Sequence, residues 1–313
     1  MRKIILIVLI VCSACAFVRA QETYLFAHKD TTSLYLDIHR PAAETQKPTI
    51  LYVFGGGFIQ GARNDAYVQP WFRMLNDNGY PVVAIDYRLG MKGYKMGKGL
   101  IGAAKSVKYF VQSRQMGVED VFSAVSFLAA HPELGIDVQN IVLAGSSAGA
   151  IISLSCALAV ANGQTEGLPE GFRFKGVMSF AGGLISNNGA PSFKAEPCPL
   201  LLLHGTADKA VAYKHFGAFG KGMWGSSYIA SQLKKKGWKC SIWRFKDKGH
   251  DVAAYMKYLW PIEQEFLEKN IMQGVPCTVD ALVDDPSLPV WKEWGNVSVE
   301  EMYSGSSVVS ENK

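Results

Sequence analysis

Charged residues are few in this sequence, and neither sign dominates. Of the 313 residues, 19% are charged, with 32 Lys plus Arg against 27 Asp plus Glu. Residues 1–20 hold three of the basic residues and no acid, so the remainder carries a formal charge of +2 (29 − 27). A surface so evenly balanced lacks the basic patch that binds nucleic acid, so we expect no nucleic-acid partner.

Long apolar runs are also scarce, and the longest lies at the N-terminus. Residues 4–18 are largely apolar, follow Arg2 and Lys3, and lead to a small-residue end at Ala20. This layout predicts a secretory signal peptide over residues 1–20, and it is too short to cross a bilayer comfortably. We therefore expect an exported protein, periplasmic or extracellular, with no transmembrane segment. An alternative is lipid anchoring at Cys15, because residues 13–15 resemble the end of a bacterial lipobox.

Cysteine is rare as well, with six in the whole chain. An exported protein can form disulfides, and four thiols allow three pairings among which sequence alone does not decide. The four cysteines beyond the predicted signal are Cys156, Cys198, Cys240 and Cys277. No His or Cys spacing in this part of the chain is typical of a metal site, so we expect neither metal nor cofactor.

Short apolar strands alternate with helical patterns along most of the chain. This alternation predicts an α/β fold with a mostly parallel twisted sheet of about eight strands and helices on both faces. The predicted strands lie near residues 34–38, 49–54, 81–87, 141–144, 176–180, 200–203 and 241–245. The predicted helices lie near residues 67–75, 150–160, 226–235 and 252–269, with another beginning at Glu119 and Asp120.

Two segments do not follow this alternation. Residues 90–108 are rich in Gly and Lys without clear periodicity, which favours a flexible lid beside a site. Residues 277–313 are polar, with Trp291 and Trp294 as their large anchors. We therefore divide the chain into a signal peptide, a catalytic domain over residues 21–276 and a C-terminal extension over residues 277–313.

The strongest chemical signal is Gly-x-Ser-x-Gly at residues 145–149, which lies between an apolar strand and an apolar helix. The bare pattern is common, but a strand–turn–helix setting is the one that exposes a serine oxygen on a tight turn. Ser147 is therefore the candidate nucleophile. A turn of small residues chosen for packing alone is the alternative.

A serine hydroxyl needs a base, and the base needs an acid that orients it. In this architecture the expected chain order is serine, acid, histidine, each on a loop after a strand. Asp208 and His250 follow the strands at 200–203 and 241–245, so we assign them as acid and base. Asp247 and Asp251 are competing acids, ranked lower because they lie so close to His250 in sequence.

Three consecutive glycines, residues 55–57, follow the strand at 49–54. Glycines there allow backbone N–H groups to point towards a developing negative charge. We predict an oxyanion hole formed by the amides of Gly56, Gly57 and Ala148.

These motifs make the chain resemble the α/β-hydrolase serine esterases over about residues 31–270. Residues 53–58, Val-Phe-Gly-Gly-Gly-Phe, are similar to the His-Gly-Gly-Gly-Phe segment of carboxylesterases and hormone-sensitive-lipase-like enzymes. Residues 204–211, His-Gly-Thr-Ala-Asp-Lys-Ala-Val, are more similar to secreted bacterial feruloyl and acetyl-xylan esterases and to prolyl-oligopeptidase-type hydrolases. Phe54 and Ser146 depart from the usual His and Asp of the first group. The resemblance implies hydrolysis of carboxylic esters of short acyl, acetyl or feruloyl groups. The substrate is then an ester of a small molecule or one linked to a polysaccharide, such as a plant polysaccharide.

Three other interpretations stay open at this stage. Within the enzymes, the alternative is a peptidase of the prolyl-oligopeptidase-like type. A non-catalytic binding protein on a hydrolase scaffold is the second. The third is dinucleotide binding, because residues 97–102 match Gly-x-Gly-x-x-Gly, although this pattern does not follow a strand directly as the fingerprint requires.

Overall fold

A computed structural model describes residues 22–96, 99–291 and 294–303 of the chain. The predicted signal peptide, Cys15 and the first two residues of the Gly-x-Gly-x-x-Gly match lie outside the described residues. No helix in the described part is both long enough and apolar enough to cross a membrane.

Twelve strands are present in the described residues, and nine of them form one large sheet. In chain order they are β1 (Glu22–Lys29), β2 (Thr32–His39), β3 (Thr49–Val53), β4 (Val82–Ile85), β5 (Ile141–Ser146), β6 (Gly176–Phe180), β7 (Gly183–Ser186), β8 (Leu200–Gly205), β9 (His215–Ala218), β10 (Lys221–Gly225), β11 (Ser241–Phe245) and β12 (Val279–Val283). The large sheet has the order β1-β2-β4-β3-β5-β6-β8-β11-β12, and β7, β10 and β9 form a separate three-stranded sheet.

The large sheet is parallel from β4 to β12, and only β1 and β2 introduce antiparallel pairings. Every residue of β3, β4, β5 and β8 is buried, so both faces of the sheet are covered at its centre. Continuous apolar strands are typical of such doubly covered parallel sheets. The predicted mostly parallel sheet is confirmed, with nine strands instead of about eight.

The helices lie between these strands in chain order. They are α1 (Gln69–Asp77), α2 (Gly99–Ala130), α3 (Ala148–Ala161), α4 (Ser226–Lys235), α5 (Trp260–Glu265) and α6 (Val299–Tyr303). Short 3-10 turns cover Pro132–Leu134, Val138–Asn140, His250–Ala254 and Met256–Tyr258, and a π-helical stretch covers Phe266–Met272. The first three quarters of α3 are buried, as its apolar sequence predicts.

Helix α2 corrects two of the sequence predictions. It begins at Gly99, so the second half of the segment 90–108 is helical, and the predicted helix start at Glu119 is wrong. The acid that suggested a helix start is buried in mid-helix instead, where Asp120 accepts hydrogen bonds from the backbone and guanidinium of Arg88. Gly117 suits a close crossing of α2 and α3, because a Cβ there would lie 2.4 Å from Ile152 Cδ1.

The predicted helix over residues 252–269 is also corrected, because the chain forms 3-10 turns there before α5 begins. Pro261 lies in the first turn of α5, where its missing N–H costs no hydrogen bond. Pro261 is therefore compatible with the start of α5, but it would interrupt a single helix that ran from residue 252 to residue 269.

The C-terminal part of the chain adds a strand to the sheet. Strand β12 pairs in parallel with β11, from Ser241 opposite Val279 to Phe245 opposite Val283. Beyond it, residues 294–303 return to the carboxyl ends of the parallel strands, where α6 lies. This return places C-terminal residues beside the loops that follow β3, β5 and β11.

Candidate active site

The site begins at the turn between β5 and α3, which holds Ser147. This residue has φ 50° and ψ −115°, a conformation that side-chain-bearing residues rarely adopt. Its N–H donates to the carbonyl of Phe180 at 2.9 Å, which anchors the turn to the end of the neighbouring strand. The Ser147 side chain therefore projects from a strained turn at the N-terminus of a buried helix.

The two flanking glycines make this turn possible. A Cβ at Gly145 would lie 2.3 Å from the carbonyl oxygen of Gly149, and one at Gly149 would lie 2.0 Å from that of Val53. Real Cβ atoms do not approach oxygen so closely, so the close approach of β3, β5 and α3 requires glycine at both positions.

The three side chains that the sequence assigned as nucleophile, base and acid lie in hydrogen-bond contact. His250 Nε2 lies 2.8 Å from Ser147 Oγ, and His250 Nδ1 lies 2.8 Å from Asp208 Oδ2. An ionised carboxylate can only accept, so Nδ1 carries the proton and Nε2 accepts from the serine hydroxyl. All three residues are buried, which strengthens these polar contacts.

Several donors hold the Asp208 carboxylate in its ionised form. The backbone N–H groups of Ala210 and Val211 each donate to Oδ1 at 2.9 Å. Burial by itself would raise the pKa of Asp208, but His250 and His204 together lower this pKa well below its usual value. The charge that orients the imidazole of His250 is therefore present throughout the neutral range.

His204 is a residue that the sequence reasoning missed. We assigned it no role from the sequence, and it is the penultimate residue of β8. It is completely buried, with Nε2 3.0 Å from the carbonyl of Val211 and 3.3 Å from Asp208 Oδ2. Its position four residues before Asp208 was the available signal.

The two competing acids have other surroundings. Asp251 is buried and accepts from the backbone N–H groups of Trp291 and Gly249, at 2.7 and 3.3 Å. Asp247 lies in the exposed turn before His250 with φ 57°. Neither carboxylate has a hydrogen bond to the ring of His250 among the contacts of the described residues.

Residues 55–57, which we call the glycine loop, follow β3 and lie next to Ser147. Gly57 and Ala148 line a small cavity together with Ser147, whereas Gly56 is not among the residues that line it. Gly56, Gly57 and Phe58 all have positive φ, of 107°, 64° and 62°. The loop therefore turns sharply at the nucleophile, and the structure brings two of the three predicted oxyanion residues to the cavity.

A much larger cavity, of about 810 Å³, opens beside the small one and reaches Asp208. The two cavities are adjacent, and four residues line both of them: Phe110, Ile185, Met223 and Val299. Tyr213 and Phe216 add aromatic surface, and Lys209 and Lys214 add cationic side chains. The long helix α2, the three-stranded sheet and α6 build these walls.

Residues 294–303 also surround the site, and no local sequence pattern predicts this. The ring of Trp294 meets that of His250 edge-on, with centroids 6.3 Å apart, and the backbone N–H of His250 donates to the carbonyl of Gly295 at 2.6 Å. Tyr303 lines the small cavity, and its hydroxyl donates to the carbonyl of Gly57.

None of the four cysteines contributes to this site. All four thiols are free in the structure, and burial raises the pKa of Cys198 to about 12 and of Cys240 to about 11. Within residues 22–96, 99–291 and 294–303, no group of three His, Cys, Asp or Glu residues could hold a metal ion.

Comparisons with known proteins show similarity to carboxylesterases. The model of the Carboxylesterase family matches residues 14–168, and that of the Phospholipase/Carboxylesterase family matches residues 106–251. A chlorogenic acid esterase of Aspergillus niger is 28% identical over 166 residues, which cover 51% of this chain. The match covers 27% of that enzyme's length, so the chain spans about a quarter of this relative.

Solved structures of esterase 2 from Thermogutta terrifontis have the same fold. The apo form is 22% identical, covers 79% of this chain and 94% of its own, and gives a TM-score of 0.57. The form phosphonylated by cyclosarin gives a TM-score of 0.58, at 22% identity over 80% of this chain and 94% of its own. The fold and the two family matches identify this chain as an α/β-hydrolase related to the serine carboxylesterases.

Proposed function

We propose that this protein hydrolyses carboxylic esters through an acyl-enzyme intermediate on Ser147. One observation carries the proposal: Ser147 Oγ, His250 and Asp208 form a continuous hydrogen-bonded series with both contacts at 2.8 Å. The series lies at the end of the sheet where a large apolar cavity opens. A hydroxyl, a neutral imidazole and a buried carboxylate in this order are the parts that nucleophilic acyl transfer needs.

In the first half of the reaction, Ser147 Oγ attacks the ester carbonyl carbon while its proton moves to His250 Nε2. Asp208 keeps Nδ1 protonated and stabilises the imidazolium that results. The tetrahedral intermediate then collapses, the bond from carbon to the alcohol oxygen breaks, and His250 returns the proton to the departing alcohol. The acyl group remains on Ser147.

In the second half, a water molecule attacks the acyl carbon and gives a proton to the same imidazole. Collapse releases the acid, and the proton returns to Ser147. In each tetrahedral intermediate, the amides of Gly56, Gly57 and Ala148 are our proposed donors to the oxyanion, and Gly57 and Ala148 line the small cavity together with Ser147. The N-terminus of α3 adds positive potential at that position.

The shape of the cavity supports esters with a bulky apolar part. A space of about 810 Å³ lined by Phe110, Ile185 and Met223 is far larger than an acetyl group requires. Among the acyl groups that the sequence suggests, we favour an aromatic acyl group such as feruloyl over acetyl. The chlorogenic acid esterase of Aspergillus niger supports the same choice.

We further propose that the protein is exported and acts on esters attached to plant polysaccharides. The cationic start and apolar run of residues 1–20 support export. The cavity lies open beside the catalytic residues, so an ester attached to a polymer can reach Ser147 while the polymer stays outside.

The central test is covalent labelling and hydrolysis with Ser147→Ala. We expect the wild-type protein to hydrolyse p-nitrophenyl acetate and to form a fluorophosphonate adduct on Ser147, and the variant to do neither. Ser155→Ala is a matched control, because it removes another buried hydroxyl in α3, one that donates to the carbonyl of Ile151. Labelling of Ser147→Ala at the wild-type rate would overturn the assignment.

A substrate panel then separates the candidate activities. Methyl ferulate, acetylated xylan, p-nitrophenyl esters of rising chain length and aminoacyl amides are assayed side by side. Faster cleavage of amides than of esters would favour the peptidase, and wild-type protein that takes up no probe would favour the binding protein. We expect methyl ferulate to be cleaved with a higher kcat/KM than p-nitrophenyl acetate.

A further inference from the structure

Each of the three carbonyl groups in the glycine loop accepts a hydrogen bond. The carbonyl of Gly55 accepts from the hydroxyl of Tyr87 at 3.4 Å, near the limit of a hydrogen bond. That of Gly56 accepts from the N–H groups of Ile59 and Gln60 at 3.1 and 3.2 Å. The carbonyl of Gly57 accepts from the Tyr303 hydroxyl.

A hydrogen bond to a carbonyl also fixes the direction of the N–H on the same peptide. The peptide is planar and trans, so its N–H points opposite to its C=O. The turn through Gln60 thereby orients the N–H of Gly57, and Tyr303 orients the following peptide, which joins Gly57 to Phe58. Both residues have positive φ, of 64° and 62°.

The side chain of Tyr303 is well placed for this contact. It is 5% exposed, and its ring meets that of Phe110 at 89° with centroids 4.9 Å apart. The backbone carbonyl of Tyr303 accepts from the N–H of Met96 at 3.3 Å, which ties the end of α6 to the segment before α2. Burial raises the pKa of the Tyr303 hydroxyl well above its usual value, so the hydroxyl stays a donor at all relevant pH values.

We propose that Tyr303 is a positioning residue for catalysis: its hydroxyl holds the carbonyl of Gly57 and so fixes the orientation of Gly57, whose amide is one of our proposed oxyanion donors. Tyr303 lies 156 positions beyond the nucleophile and 246 beyond Gly57, so the C-terminal segment completes a loop from the start of the sheet. This inference rests on the proposed esterase function, because it concerns the oxyanion of that reaction.

The first test is Tyr303→Phe, which keeps the ring and removes only the hydroxyl. We expect kcat for p-nitrophenyl esters to fall about tenfold with KM within about twofold, because one hydrogen bond that acts on transition-state donors is lost. The rate of fluorophosphonate labelling should fall by a similar factor, since the same amides polarise the phosphoryl oxygen. The pH dependence of kcat/KM should keep its shape, because Asp208 and His250 are untouched.

The matched control is Tyr255→Phe. The hydroxyl of Tyr255 also donates to a backbone carbonyl, that of Pro289 at 2.6 Å, but it has no contact with the glycine loop. We expect this variant to lose stability without a tenfold fall in kcat.

Two results would overturn the proposal. One is a Tyr303→Phe variant with wild-type kcat and labelling rate, and the other is an equal fall in kcat for both tyrosine variants. Failure of the proposed function is distinguishable, because the wild-type protein would then show neither hydrolysis nor labelling.

Discussion

The imidazole of His204 lies 3.3 Å from Oδ2 of Asp208, the same carboxylate oxygen that faces His250 from the other side. The acid of the site is therefore held between two histidines, and only one of them contacts the nucleophile. Ser226 fixes the far side of His204, with its hydroxyl oxygen 2.8 Å from Nδ1. A carboxylate with so many donors keeps one orientation, which is what the imidazole of His250 requires.

Asp208→Asn should abolish most activity and change the acid dependence of stability. We expect kcat to fall about 10⁴-fold, because an amide does not hold the imidazole in the required tautomer. The lowered pKa of Asp208 adds to the free energy of unfolding above about pH 4, the pKa of an unfolded Asp, and this contribution is lost as pH falls further. The stability advantage of the wild type over Asp208→Asn should therefore shrink below pH 4, by up to about 1.4 kcal/mol per pH unit.

Urea denaturation at pH 5 and at pH 2.5 measures this difference. Asp247→Asn is the control, because it removes a carboxylate near His250 at a position with φ 57°, which Asn tolerates well. An advantage over Asp208→Asn that is the same at both pH values would contradict the prediction.

Ser147→Gly should be more stable than Ser147→Ala, although both are inactive. The φ of 50° with ψ of −115° strains any residue that has a Cβ, and such strain costs about 1–3 kcal/mol. Glycine relieves it but loses more chain entropy on folding, so we expect a net gain of about 1 kcal/mol over alanine.

Residue 155, in the middle of α3, serves as the control, because there the alanine variant should be more stable than the glycine variant. Ser155→Gly should be less stable than Ser155→Ala by about 1 kcal/mol, as in other helix interiors. Thermal or urea unfolding of the four variants measures both differences. If glycine is the less stable choice at both positions, the turn at Ser147 is not strained.

Gly149→Ala should prevent the protein from folding stably. Its Cβ would lie 2.0 Å from the carbonyl oxygen of Val53, and the three nearest atoms all belong to the backbone of Val53 and Phe54, so no flexible side chain could move away. We expect a loss of about 3 kcal/mol or more in the free energy of unfolding. Gly163→Ala is the comparison, because φ is 77° there but no atom lies within 4 Å, so its cost should stay near 1 kcal/mol.

Ile185→Trp should change the choice of substrate. Ile185 lies where the small and large cavities join, so an indole there would fill the passage towards Met223 and Phe216. We expect kcat/KM for p-nitrophenyl octanoate and methyl ferulate to fall at least tenfold more than for p-nitrophenyl acetate. A parallel loss for all three esters would show that bulky groups do not occupy this cavity.

The core of the site could be predicted from sequence because its signals are local. An apolar strand followed by Gly-x-Ser-x-Gly, and strands that lead into Asp208 and His250, each occupy fewer than ten residues. Parallel strands end at one edge of a sheet, so residues that directly follow such strands meet there. No local signal of this kind distinguishes Asp120 at a helix start from Asp120 paired with Arg88, and the predicted start of α2 was wrong for that reason.

The sequence by itself determined seven strands of the large sheet and the identity of the three side chains at 147, 208 and 250, because hydrophobic patterning and glycine turns act between near neighbours. Only the tertiary structure decided what surrounds them: the buried His204 beneath the acid, the cavity walls of α2 and the three-stranded sheet, and the return of Trp294 and Tyr303 to the site. These contacts join residues up to 246 positions apart, and they depend on how the sheet brings distant segments together. Local sequence patterns do not predict contacts between residues so far apart in the chain.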